Sequence, residues 1–192
     1  MSPDTQLFIA LFRSKRFPDE YTKLHWMLIP LDPVRSDTLS GRVRGYQIIL
    51  SDSQEKPWKT AHTNIVLPES TRPFYGCLYL GSTSLSKEDI QNRMKSESAE
   101  QGDTLDLPIF VQQGRGWSCA QWIIRALRKW EEEGLLGFHI GDPSSLYTRV
   151  CVLGGALREH LAKDSEDDYV IVDEKREQIV NVNGVETIHL CI

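Results

Sequence analysis

The chain has 192 residues, 40% hydrophobic and 26% charged, with a formal net charge of -5. That length suits one well-buried core, so a single domain over 1–192 is expected, with 168–192 as a C-terminal strand and hairpin extension. The acidic balance argues against a nucleic-acid footprint, and no stretch is apolar over the roughly 18 residues that a membrane span needs. The N-terminus lacks the basic-then-apolar order of a signal peptide, so a cytoplasmic protein is expected.

Gln6 to Ser14 holds Leu7, Phe8, Ile9, Leu11 and Phe12, an apolar run of strand length that ends at the basic group Arg13 to Arg16. Lys23 to Leu31 is a second such strand, closed by Pro30 and Pro33. Alternation puts Leu24, Trp26 and Leu28 on one face of it and His25, Met27 and Ile29 on the other, which leaves His25 among apolar neighbours. Arg42 to Leu50 reads as a third strand, antiparallel to the second, with Gly45 permitting a bulge or a close backbone approach. Thr60 to Leu67 and Phe74 to Gly81 are two more strands.

Ser86 and Asp89 have the spacing of a capped helix start, and the helix runs to about Lys95. Ser96 to Asp106, rich in Ser, Glu, Gly and Asp, reads as a mobile surface loop. Leu107 to Gln113 then leads through Gly114 and Gly116 into a long helix capped by Ser118, with Ala120, Ile123, Ile124, Leu127 and Trp130 at helical spacing and Gly134 as its stop. Asp142-Pro143 opens a further helix with the stripe Leu146, Val150, Leu153, Leu157 and Leu161. Gly154-Gly155 inside it suits close packing. Asp168 to Asp173 is a strand, and Gln178 to Leu190 is a hairpin turning at Asn183-Gly184 in a type I′ turn.

The cysteines, Cys77, Cys119, Cys151 and Cys191, include no short-spaced pair, so reduced thiols are expected and neither a metal nor a cofactor is called for. Cys119 differs from the others because it sits at a helix start, where unpaired backbone N–H groups and the helix dipole favour the thiolate. A thiol nucleophile also needs a base and a polar group that fixes the base's tautomer. Among the histidines, His160 at a helix end and His189 in a terminal strand read as structural, while His62 and His139 carry no supporting pattern. His25, rigid and partly desolvated in a central strand, suits the base, although a histidine on an apolar strand also serves as an ordinary core residue.

The strand Leu24-His25-Trp26-Met27-Leu28, the following glycine-containing strand and the helix start Cys119-Ala120-Gln121-Trp122 together resemble the circularly permuted NlpC-type branch of the papain-like superfamily. That branch includes lecithin retinol acyltransferase relatives and PPPDE peptidases. The two motifs are most similar to a group of fungal proteins with a His-Trp strand and a Cys-x-x-Trp helix start. The resemblance implies an α+β fold, with an antiparallel sheet carrying His25 and Gln47 packed against the Cys119 helix and the Asp142 helix as a second layer. It implies Cys119 as nucleophile, His25 as base, Gln47 as the orienting group and the Cys119 N–H as an oxyanion donor. Hydrolysis or transfer of an acyl group from an amide, ester or thioester of a small-molecule or peptide substrate is the expected chemistry. Trp26, Trp117 and Trp122 lie close enough in sequence to the proposed centre to line an apolar substrate cleft. Ser118 and Ala120 depart from the Asn and Gln that flank the cysteine in the fungal group. The competing reading is a non-catalytic binding protein, or a tailoring protein that shapes a substrate in the same cleft without a covalent intermediate.

Overall fold

A computed structural model describes residues 5–13, 24–32, 41–67, 74–108, 116–162, 169–171, 178–182 and 185–189. The strands are β1 (Thr5–Arg13), β2 (Leu24–Leu31), β3 (Gly41–Gly45), β4 (Ile48–Leu50), β5 (Trp58–Thr60), β6 (Thr63–Leu67), β7 (Phe74–Thr83), β8 (Tyr169–Ile171), β9 (Gln178–Val182) and β10 (Val185–His189). The helices among the described residues are α1 (Lys87–Ser96), α2 (Cys119–Glu132) and α3 (Pro143–Ala162). The fold is α+β. Its main sheet has the order β2-β1-β7-β10-β9-β8, and β3-β6 and β4-β5 form two small antiparallel ladders.

β1 is apolar from Leu7 to Phe12, where it is buried on both faces and paired on both edges, antiparallel to β2 and to β7. Leu7, Ile9 and Leu11 meet Leu24, Trp26 and Leu28 under the helices, in a core that also contains Cys119 and Trp122. Phe8, Ala10 and Phe12 face the other way with Met27, Ile29 and Cys77, and Ile65 and Leu67 of β6 cover them. The two-residue period of the strand thus builds two cores from one sheet. The sheet is antiparallel except at one joint, where β10 runs parallel to β7 and attaches the C-terminal hairpin. The expected turn at Asn183-Gly184 lies outside the described residues.

The expected strand Arg42 to Leu50 breaks in two. Its first part pairs with β6, Tyr46 forms a single antiparallel bridge to Leu28, and its last part pairs with β5. Three partners in three places cannot be served by one flat ladder, so Gln47 falls outside any strand. Thr60 to Leu67 also splits, at Ala61-His62, where the backbone of Ala61 turns toward Gln47. Gly45 does allow a close approach, since a β-carbon there would overlap the Met27 side chain.

The helix boundaries follow their caps. Ser86 and Asp89 form a reciprocal capping box on α1, and Asp142 Oδ2 accepts the Ser145 N–H at 2.7 Å to start α3. α2 ends in a Schellman motif, with Gly134 at φ 70°, Gly134 N–H on the Glu131 carbonyl (2.9 Å) and Leu135 N–H on the Trp130 carbonyl (2.9 Å). In α3, the adjacent glycines have different roles. A β-carbon on Gly154 would run into the δ-methyls of Leu24 and Leu11, whereas one on Gly155 meets nothing within 4 Å. Gly154→Ala is therefore expected to lose about 1–3 kcal/mol by overpacking, and Gly155→Ala to gain up to about 1 kcal/mol from helix propensity. Denaturant midpoints of the two variants check this, and equal shifts in the same direction would contradict it.

Candidate active site

Because β2 is the edge strand of the main sheet, its outer N–H and C=O groups need partners from elsewhere. Leu28 finds them in Tyr46, with bonds of 3.0 and 2.9 Å. Two residues back on the same edge, the Trp26 N–H points at the Cys119 sulfur at 3.5 Å. The thiol therefore stands where a further strand would have presented a carbonyl. Ser118 caps α2 from extended backbone, its Oγ accepting the Gln121 N–H, and the first turn carries no acidic side chain to offset the positive helix end.

Position at the edge resolves an apparent conflict in the alternation of β2. Trp26 and Cys119 share the helix-side core, whereas the side chain of His25 belongs to the other face, its ring centroid 6.3 Å from that of Phe12. The sulfur lies beside the strand, level with its backbone, and the imidazole reaches it: His25 is hydrogen-bonded to the Cys119 thiol. On its far side, His25 Nε2 is hydrogen-bonded to Gln47 Oε1.

Gln47 is 4% exposed and held through both side chain and backbone. Its Nε2 donates to the Ala61 carbonyl at 2.9 Å, and the Ala61 N–H donates to the Gln47 carbonyl at 3.0 Å. Since a carbonyl only accepts, the amide nitrogen must face Ala61 and the amide oxygen must face His25. An amide oxygen accepts in turn, so the proton of the neutral imidazole sits on Nε2. Nδ1 is left for the thiol.

Burial is the largest influence on the Cys119 thiol, and it pushes the thiol up. The His25 charge, the His25 hydrogen bond and the N–H groups of Trp26 and Ala120 together outweigh burial, and the thiol lies below its ordinary value. Cys77 shows what burial does alone: wholly enclosed beneath the opposite face, its thiol is pushed up to about 12.

Comparison with protein-family models, with curated proteins and with solved structures returns no match. Cys119, His25 and Gln47 are thus brought together by this chain's own geometry. Among the described residues, no cluster of three or more His, Cys, Asp or Glu side chains could hold a metal ion, and no helix is long and apolar enough to cross a membrane.

The three tryptophans expected around a cleft are 0%, 8% and 0% exposed at Trp26, Trp117 and Trp122, which places them in the core in this conformation. Trp26 stacks on Tyr147 of α3. Trp117 and Trp122 donate their indole N–H groups to the carbonyls of Ala99 and Ser98, each at 2.8 Å. Arg125 reaches the same segment, bonding the carbonyls of Ser98, Glu100 and Gln101 and the Thr104 hydroxyl, pairing with Glu97 at 2.7 Å and lying 4.6 Å over the Trp117 ring. The stretch after α1, expected to be mobile, is instead tied to the cysteine helix from Glu97 to Thr104. Its composition is that of a loop, but the anchors that hold it come from residues some twenty positions downstream. His139 is a surface residue on Glu131, while the side chains of His160 and His189 lie outside the described set.

Two measurements follow. At neutral pH, iodoacetamide should label Cys119 roughly tenfold or more faster than an ordinary thiol, and Cys77 only after unfolding. The Cys119 rate should hold above its lowered pKa and decline as pH falls through it; labelling that rises only in the ordinary thiol range would contradict the site. Arg125→Met should lose about 1–3 kcal/mol, because the carbonyls it bonds lose their donor while Lys129 still pairs with Glu97, and open 97–104 to limited proteolysis. Native-like resistance there would show that other contacts hold the segment.

Proposed function

We propose that this chain transfers or hydrolyses acyl groups through a covalent thioester on Cys119, and that it belongs to the circularly permuted NlpC-type branch of the papain-like superfamily. One observation carries the proposal: the His25 imidazole bridges a thiol at a helix start and a buried amide oxygen. Those positions match the three roles, nucleophile, base and orienting group, that thiol acyl transfer requires.

In the proposed reaction, the Cys119 sulfur attacks the carbonyl carbon of an amide, ester or thioester and the carbonyl oxygen takes the negative charge. Cys119 occupies the first position of α2, and its N–H, which has no intrahelical acceptor, supplies a donor for that oxyanion. The tetrahedral centre collapses, the bond to the leaving group breaks, and that group takes the proton held by His25. In the second half, water or another acceptor gives its proton to His25 and attacks the thioester, which releases the acyl product and restores the thiolate. Gln47 keeps Nδ1 aimed at the sulfur throughout and carries no charge itself.

A second reading rests on the 8% exposure of Cys119: a sulfur so covered also suits a protein that binds in the same place without covalent chemistry. An activated thioester probe separates the two. The acyl-transfer reading expects a mass increase on Cys119 equal to the acyl group, and turnover reduced by about 10⁴-fold or more in Cys119→Ala or His25→Ala. Gln47→Ala should lose less, on the order of 10²-fold, because the base survives and only its tautomer and aim are freed. Binding of the probe with no adduct, and turnover indifferent to Cys119→Ala, would establish the non-covalent alternative.

A further inference from the structure

His62 follows Ala61, whose carbonyl turns the Gln47 amide toward His25. Its ring is fixed from three directions. Nε2 donates to the Met94 carbonyl of α1 at 3.1 Å, the ring stacks on Trp122 of α2 at 6.0 Å, and Tyr46 meets it edge-on at 5.2 Å. Tyr46 precedes Gln47, and Trp122 lies three residues beyond Cys119. One imidazole thus touches a neighbour of the orienting amide and a neighbour of the nucleophile.

The other ring nitrogen, Nδ1, is shut off from solvent and has no hydrogen-bond partner among the described residues. A neutral ring with its proton on Nε2 fits this environment, because a lone pair at Nδ1 asks for less than an unanswered N–H would. The ionisable groups around it offer a proton there nothing: Arg44 of β3 and Lys95 of α1 are cations, Tyr46 is held protonated by burial, and α2 contributes the uncharged Trp122. Burial first, and these cations after it, keep His62 below the ordinary histidine value in spite of the Met94 bond.

We propose that His62 is a second, positioning histidine, which holds Ala61 and Gln47 in register with His25 while neutral and releases them when protonated. The proposal rests on the Cys119–His25–Gln47 reading and adds an acid-sensitive step to it. Because folding lowers the affinity of His62 for protons, its contribution is complete above the ordinary histidine value and is lost as pH falls through the lowered one.

The test is the pH dependence of Cys119 alkylation by iodoacetamide in the full chain, which needs no substrate. With His62 coupled to the site, the wild-type rate in acid falls as the second power of proton concentration, one proton for the thiolate and one for His62. His62→Gln keeps a donor for Met94 but cannot titrate, so its rate falls with the first power. A first-power decline in both proteins, with Cys119 still selectively reactive, would overturn the role of His62 and leave the nucleophile standing. Cys119 reacting no faster than an ordinary thiol in the wild type would overturn the pair itself, and this role with it.

Discussion

On the outer edge of β2, the Trp26 N–H meets the Cys119 sulfur at 3.5 Å, and the geometry of the site depends on that contact. Edge strands carry unpaired backbone groups that a protein must cover. Here the cover is divided, with Tyr46 taking Leu28 and the start of α2 taking Trp26. Docking a helix N-terminus end-on at a strand edge puts a thiol, the positive end of a helix and a backbone N–H at one point. It also brings the sulfur level with the strand backbone, where His25 can reach it from the opposite face.

A buried sulfur would ordinarily be a poor nucleophile, and Cys77 shows the ordinary outcome. The contrast with Cys119 lies in the supply of donors and charge around it. His25, Trp26 and Ala120 all favour the anion, against a burial that opposes it. Gln47 adds direction without charge, being fastened to Ala61 by two hydrogen bonds, and the site's polarity is concentrated in a few groups embedded in apolar cores. Arg125 acts one step further out, tying the segment after α1 to the helix that bears Cys119.

Much of this was legible in the residue pattern. The β1 and β2 runs, the stripe of α3, the caps at Ser86, Ser118 and Asp142 and the stop at Gly134 are local signals, and local physics decides them. The three residues singled out for chemistry are adjacent in space although they span 25 to 119 in sequence. What the pattern could not reveal depends on long-range backbone partners. The break at Gln47 follows from three separate pairings, and no residue in Arg42 to Leu50 announces it. The Ala61 carbonyl and the Trp26 N–H act through the main chain, to which side-chain reading is blind. The order of Glu97 to Thr104 comes from Trp117, Trp122 and Arg125, residues that as a set read as helix and core.

The central claim is that Cys119 and His25 share a proton in favour of the thiolate, and the most direct measurement is the ultraviolet absorbance of the thiolate as a function of pH. The account predicts absorbance that titrates below the ordinary thiol range, disappears in Cys119→Ser and moves upward in His25→Ala. Thiolate absorbance that appears only in the ordinary range, or that survives in Cys119→Ser, would contradict it.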